Sequence, residues 1–290
     1  MQKIKIMTDS ACDIDRDLEL SLGIKILSFT VIMDGKDYRE RIDFTNEEFY
    51  KMIDEAKEFP STSQLTAFEL QEAYQELFDQ GYTDVIYVTI ASKGSATYQN
   101  ALMAKDNFYN EVEGADKMKI HIVDSGNYTG VYGYPVIQAA KKLQRGASVE
   151  ELVDYLTEWF TCSEVLFAPF TLKYVKRSGR VSAAAAFAGE LLGLRPLIRI
   201  TDGVSYVAKK VRGDKNIIPN LIELMESRMI PKTPYCIVSG KDDTYADELA
   251  KELTKIFGYP PAGYFHIGAA VTINAGPDVV GVVIRAERNN

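Results

Sequence analysis

Ser, Thr and Gln side chains gathered just ahead of predicted helices are the groups in this 290-residue chain best suited to holding an anion. One set is Pro60-Ser61-Thr62-Ser63-Gln64, which leads into a Thr66-x-x-Glu69 capping box. The other is Ser92-Lys93-Gly94-Ser95-Ala96-Thr97-Tyr98-Gln99, between the strand-like run Ile86 to Ile90 and a helix beginning near Ala96. A helix N-terminus carries unpaired amides and a partial positive charge, so a carboxylate or phosphate is drawn there, and nearby hydroxyls add donors. Ordinary turn chemistry explains an isolated Ser-Thr-Ser as well, and Ser95 could equally be a plain N-cap. Its position is nonetheless pointed, because in an open α/β sheet ligands sit at loops leaving the carboxyl ends of strands. Asp124-Ser125, after the run Lys119 to Val123, occupies an equivalent loop.

Thr8-Asp9-Ser10-Ala11-Cys12-Asp13 puts two carboxylates after the first strand-like run and invites a metal or acid–base reading. A metal site calls for further carboxylates or His at identifiable positions, and one Asp pair here more often caps a turn or helix. The chain has no G-x-x-x-x-G-K-[ST] phosphate loop, no G-x-G-x-x-G after a strand, no G-x-S-x-G elbow and no H-E-x-x-H. Its two His, His121 and His266, sit inside apolar strand-like runs and read as core residues, which leaves no Ser-His-carboxylate arrangement. The sequence reads as that of a binder without catalytic residue, metal or cofactor. The alternative is a hydrolase or phosphotransferase acting on a small anionic substrate, its site built from the Thr8-Asp9-Ser10, Ser95 and Asp124-Ser125 loops.

The elements that must position these groups follow from periodicity. Lys3 to Met7, Asp84 to Ile90 and Lys119 to Val123 read as β-strands separated by amphipathic helices, a pattern that gives a parallel sheet covered by helices. Capping boxes at Thr45-x-x-Glu48, Thr66-x-x-Glu69 and Ser148-x-x-Glu151 start three of the helices. After about Ser163 the grammar changes. Thr201-Asp202-Gly203 between Pro196 to Ile200 and Val204 to Lys209 predicts a hairpin. Tyr264 to Ile273 and Val279 to Glu287 read as a second strand pair around Gly276-Pro277, preceded by a helix over Asp243 to Phe257, and the alanine run at 183–186 reads as helical. The expected architecture is α/β: a parallel-sheet domain over residues 1–163 carrying the polar loops, then an α/β domain over 164–290 with a mixed or largely antiparallel sheet.

At 46% hydrophobic content a chain of this length can bury a large core, while a formal net charge of −8 argues against a nucleic-acid partner, which would need clustered Lys and Arg. No apolar run approaches the roughly 20 residues of a membrane span, and Met1-Gln2-Lys3 runs straight into Ile4-Lys5-Ile6 without a signal-peptide core, so a cytoplasmic location is expected. Cys12, Cys162 and Cys236 are odd in number and widely spaced, which suits reduced thiols, and the sequon Asn127-Tyr128-Thr129 would matter only in a secreted protein.

From end to end the chain resembles the DegV family, whose members carry a T-D-S-x-x-D start, a P-T-T-S-Q-like loop, an S-G-T-Y-Q-like turn and a K-x-G-G-R-like loop. Thr8-Asp9-Ser10 with Asp13 matches the first, Ser61-Thr62-Ser63-Gln64 the second with Ser for the first Thr, and Ser95-Ala96-Thr97-Tyr98-Gln99 the third with Ala for Gly; Lys176-Arg177-Ser178-Gly179-Arg180 stands at the fourth. The resemblance implies binding of a long-chain fatty acid, its carboxylate bonded by Thr62 and Ser95. It also implies presentation of that acid to an ATP-dependent fatty acid kinase subunit in the service of phospholipid synthesis, with transient membrane-surface contact left open. A lipid-responsive regulatory adaptor is a further class compatible with the same features. The family commonly closes with H-T-G-P-G, whose His joins the carboxylate site; here the stretch is Asn274-Ala275-Gly276-Pro277-Asp278, so Asn274 offers an amide donor without charge. The resemblance makes Thr8, Asp9, Ser10, Ser61, Ser63, Gly94, Ala96, Thr97, Asp124, Ser125 and Gly276 candidates for lining the pocket. Lys176, Arg177, Arg180, Lys210 and Arg212 become candidates for docking the kinase.

Overall fold

The chain starts with β1 (Ile4–Asp9), a 3-10 turn at Ser10–Cys12, α1 (Arg16–Leu22), β2 (Lys25–Leu27), β3 (Thr30–Met33), β4 (Lys36–Arg39), α2 (Asn46–Glu55) and β5 (Ser61–Ser63). It continues through α3 (Ala67–Asp79), β6 (Asp84–Thr89), α4 (Thr97–Glu111), β7 (Lys119–Asp124), α5 (Gly130–Gln144) and α6 (Val149–Thr161). From there come β8 (Ser163–Pro169), α7 (Lys173–Ser178), β9 (Leu194–Thr201), β10 (Val204–Arg212), α8 (Ile217–Glu226), β11 (Cys236–Ser239), α9 (Thr244–Phe257), β12 (Gly263–His266), α10 (Ala269–Ala275) and β13 (Val279–Arg285). This computed structural model describes residues 2–179 and 193–287; Arg180 and the alanine run at 183–186 lie outside the described residues. Among the described residues no helix is long and apolar enough to cross a membrane, and Cys12, Cys162 and Cys236 are free thiols.

All three predicted capping boxes form, with Thr45, Thr66 and Ser148 each accepting from the amide of a Glu three residues on while that Glu accepts from the cap's own amide. The helices then bury the apolar stripes that periodicity marks, such as Leu70, Ala73, Tyr74 and Leu77 of α3. β2, β1, β6 and β7 lie in that order in a fully parallel sheet. Every residue of β6 is buried, as a central parallel strand covered on both faces requires.

The larger sheet has the order β10-β9-β8-β13-β11-β12, antiparallel throughout except for β11 with β12. Its first hairpin turns at Asp202 (φ 49°) and Gly203 (φ 71°), the paired left-handed geometry of a two-residue loop. Strand alternation splits its contacts. Val165, Phe167, Ile198, Ile200, Val238 and Val283 face the first half of the chain and share its core with Met7, Leu77, Val85 and Phe108. Leu166, Leu197, Ile237, Val282 and Ile284 face the other way, onto Leu221 and Met225 of α8 and Leu249 and Leu253 of α9.

Three expectations need correction. Tyr264 to Ile273 is not one strand: β12 stops at His266, α10 takes over, and β13 inserts between β8 and β11, so β12 and β13 never pair. The cause is tertiary, since the amides of Gly268 and Ala270 at the start of α10 are taken by Asp13 Oδ1 (2.8 Å) and Glu40 Oε1 (2.9 Å) from far away in the chain. His266, on the edge strand β12, is exposed beside Asp243 and is no core residue, and His121, on the edge strand β7, is half-buried against Asp84. A third sheet, β4-β3-β5, also forms, and it takes Ser61-Thr62-Ser63 out of loop conformation and into a strand.

Candidate ligand-binding cavity

A cavity of about 490 Å³ opens between the inner face of the six-stranded sheet and the carboxyl end of the parallel sheet. The larger sheet supplies its apolar wall: Val165 and Phe167 from β8, Ile200 from β9, Val238 from β11 and Val279 from β13. Loops and short elements of the other side supply the polar groups, with Thr62 on β5, Gln64, the segment Ser92 to Ala96, Gln99, Tyr128, Thr129 and, from α10, Asn274. Its volume falls within the roughly 300–1,000 Å³ typical of small-molecule sites, and its make-up of apolar walls with a few converging polar groups is typical too.

Ser95 sits where its hydroxyl can donate. Its Oγ accepts from the amide of Thr97 (3.3 Å) and lies 2.9 Å from Thr97 Oγ1. When the buried Thr97 donates, the Ser95 proton is left for an acceptor in the cavity. The amides of Gly94 and Ser95 are not available to a ligand, because both bond the Ala91 carbonyl. Thr62 pairs with Val31 of β3, and strand alternation turns Ser61 and Ser63 to the opposite face, away from the cavity. Asn274 spends one amide proton on Ala270 O (2.8 Å) and keeps one N–H and its carbonyl oxygen free of that bond. Asp278 is outside the lining, held 3.5 Å from Lys241 Nζ.

The first motif does not line the cavity; it builds the wall from behind. Thr8 is buried and donates to Val88 O (2.9 Å). Asp9 accepts from the amide of Ile90 (2.7 Å) and from the Tyr132 hydroxyl (2.6 Å), and Ser10 accepts from the amide of Phe29 (2.9 Å) while donating to Glu40. Ile90, Phe29 and Ala270, the last held by Glu40, are all lining residues. Burial pushes the Asp9 carboxyl up to about 7 and that of Asp13 up to about 8, and raises Glu40 as well. These groups are spent on backbone and side-chain partners within the protein, and none of them lines the cavity. Among the described residues no group of three or more His, Cys, Asp or Glu is arranged to hold a metal ion.

The remaining candidates scatter. Gly94 and Ala96 line the cavity, and the Tyr128 hydroxyl lies 2.2 Å from where a Cβ on Gly94 would stand. Gly276 ends α10 at φ 96° and backs onto Tyr174 instead of the cavity. Asp124 and Ser125 line a second cavity of about 320 Å³ with Thr157, Thr161 and Asp202; Asp124 Oδ1 accepts from the amides of Ser92 (3.0 Å) and Gly126 (2.9 Å) and so ties the two loops together. Lys176 and Arg177 are exposed on α7, the Arg177 guanidinium 4.8 Å from the centre of the Phe59 ring, while Lys210 and Arg212 project from β10. Sequence reasoning passed over Lys93, Gln99, Tyr128 and Thr129. Lys93 and Gln99 lay inside a segment already singled out, whereas the φ of 50° at Thr129, unusual for a β-branched residue, leaves no trace in the sequence.

The fold is thus a mixed α/β one, with a parallel four-stranded sheet and a mixed six-stranded sheet enclosing a largely apolar cavity. Residues 3–287 match the model of the DegV family, described as uncharacterised proteins, and the chain belongs to that family. A DegV domain-containing protein of Caldanaerobacter subterraneus subsp. tengcongensis is 32% identical over 284 residues, 97% of this chain and 98% of that one. The fatty-acid-binding DegV-family protein from Thermus thermophilus superposes with a TM-score of 0.86 at 26% identity, covering 99% of this chain and 100% of its own. A DegV lipid-binding protein from Thermotoga maritima gives 0.84 at 28% identity, with 100% of both chains covered.

Proposed function

We propose that this protein binds a long-chain fatty acid in the main cavity, with the carboxylate held by Ser95, Thr62 and Asn274. The observation that carries this reading is the cavity itself, in which an apolar wall from the six-stranded sheet meets hydroxyl and amide groups from the opposite side. At about 0.8 kcal/mol per buried CH₂, a long acyl tail contributes on the order of 10 kcal/mol gross, against about 1.5–3 kcal/mol for each hydrogen bond to the charged head. The tail supplies affinity and the head supplies orientation. The similarity to the fatty-acid-binding protein of Thermus thermophilus supports the same reading.

The finer role follows from the family resemblance: in the cytoplasm, the loaded protein presents the carboxylate to a separate ATP-dependent fatty acid kinase. The absence of a phosphate-loop motif in the sequence fits a division of labour in which the partner holds the nucleotide. Lys176 and Arg177, exposed on α7 beside α10, are suited to an acidic partner surface. Mass spectrometry of lipid extracted from the purified native protein tests the binding step, and addition of ATP with the kinase to the loaded protein tests the presentation step. A co-purifying monocarboxylic acid that becomes an acyl phosphate is the expected result. Recovery of a nucleotide or sugar phosphate in its place overturns the binding step, and an acid that the kinase never phosphorylates overturns presentation alone.

A further inference from the structure

Among the described residues that line the main cavity, Lys93 alone carries a formal charge. It stands between Ser92 and Ser95 in a loop fixed at both ends: the Ser92 amide bonds Asp124, and the Gly94 and Ser95 amides bond the Ala91 carbonyl. Its aliphatic stem packs against the β9–β10 turn, where a Cβ on Gly203 would lie 3.1 Å from Lys93 Cβ and 3.4 Å from Lys93 Cδ. The side chain is exposed and reaches the boundary between the two cavities, both of which it lines. Among the described residues its ammonium makes no hydrogen bond or ion pair.

An anion moved from water to an apolar cavity is costly unless a charge or several donors compensate it. Ser95, Thr62 and Asn274 supply donors but no charge. Building on the fatty-acid reading above, we propose that Lys93 provides the counter-charge for the ligand carboxylate and is the residue that selects an acid over an uncharged lipid of the same chain length. The flexible four-carbon stem of Lys suits a point-charge contact of this kind, and packing against Gly203 holds that stem beside both cavities.

The test measures the affinities of hexadecanoic acid and 1-hexadecanol for the wild-type protein and for Lys93→Met, Lys93→Gln and Lys93→Arg, with thermal unfolding to verify that each variant is folded. The acid-to-alcohol affinity ratio is expected to fall about three- to tenfold in the two neutral variants and to be restored in Lys93→Arg. A ratio unchanged in both neutral variants, or a wild-type protein that binds acid and alcohol equally, overturns the role of Lys93 while leaving tail binding intact. A wild-type protein that binds neither compound overturns the fatty-acid reading itself.

Discussion

At Ser95 a single proton would serve the proposed ligand, and its neighbours decide whether it can. The Thr97 amide and hydroxyl both approach Ser95 Oγ, and when the Thr97 hydroxyl donates, the Ser95 proton is left for an acceptor in the cavity. Ser95→Ala is expected to weaken hexadecanoic acid binding by about 1.5–3 kcal/mol, the worth of a hydrogen bond to a charged group, with a smaller loss in Thr97→Val. Calorimetric titration measures both. Wild-type affinity in Ser95→Ala would mean that the carboxylate lies elsewhere. Because Ser95 Oγ also accepts from the Thr97 amide at the start of α4, the same variant should lose about 1 kcal/mol of stability, which separates the two roles.

Elements meet closely where α5 passes β12 and the Ser10–Cys12 turn. A Cβ on Gly130 would lie 2.4 Å from the Phe265 ring of β12, and one on Gly133, a turn further along, 2.2 Å from the Cys12 carbonyl and 2.9 Å from the same ring. Both glycines are buried on the helix face that the ring covers, and the Cys12 carbonyl is backbone with little room to yield. Helix propensity alone favours Gly133→Ala by about 1 kcal/mol. Overpacking should outweigh it, so the variant is expected to be less stable by a net amount of about 1–3 kcal/mol in urea unfolding. A stabilised Gly133→Ala would show that α5 can move away from the Ser10–Cys12 turn.

Across the whole molecule, buried carboxylates join what the sequence keeps apart. Asp9 ties β1 to the loop after β6 and to α5, while Asp13 and Glu40 hold the start of α10. Arg41, Cys12, Tyr50, Tyr87 and Tyr132 are further titratable groups around them. With Asp9 pushed up to about 7 and Asp13 to about 8, mainly by burial, the folded protein holds these protons more tightly than the unfolded chain does. Their contribution to stability is therefore greatest below the usual carboxylate range near pH 4, declines as pH rises toward 8 and levels off above that. Asp13→Asn removes one of these titrations and keeps an oxygen for the Gly268 amide. Its stability relative to wild type should rise steadily between pH 5 and pH 8 in urea unfolding, and parallel curves for the two proteins would refute the buried proton at Asp13.

The features that can be read along the chain are local or periodic. The capping boxes at Thr45, Thr66 and Ser148, the Asp202-Gly203 hairpin and the β-α alternation of the parallel sheet are each written within a few residues, because cap, turn and helix-face chemistry act over that range. The polar segments around Thr62 and Ser95 were legible for the same reason. Tertiary structure alone decided that Ala269–Ala275 is a helix, since its first amides are satisfied by Asp13 and Glu40, more than two hundred residues away. It also decided that Asp9 and Ser10 brace Ile90 and Phe29 from behind the cavity, and that Lys93, exposed on a loop, is the one charge among the described residues of its wall. Each of these outcomes depends on which side chain a distant backbone donor or an apolar surface meets, and residue type and spacing along the chain do not encode that.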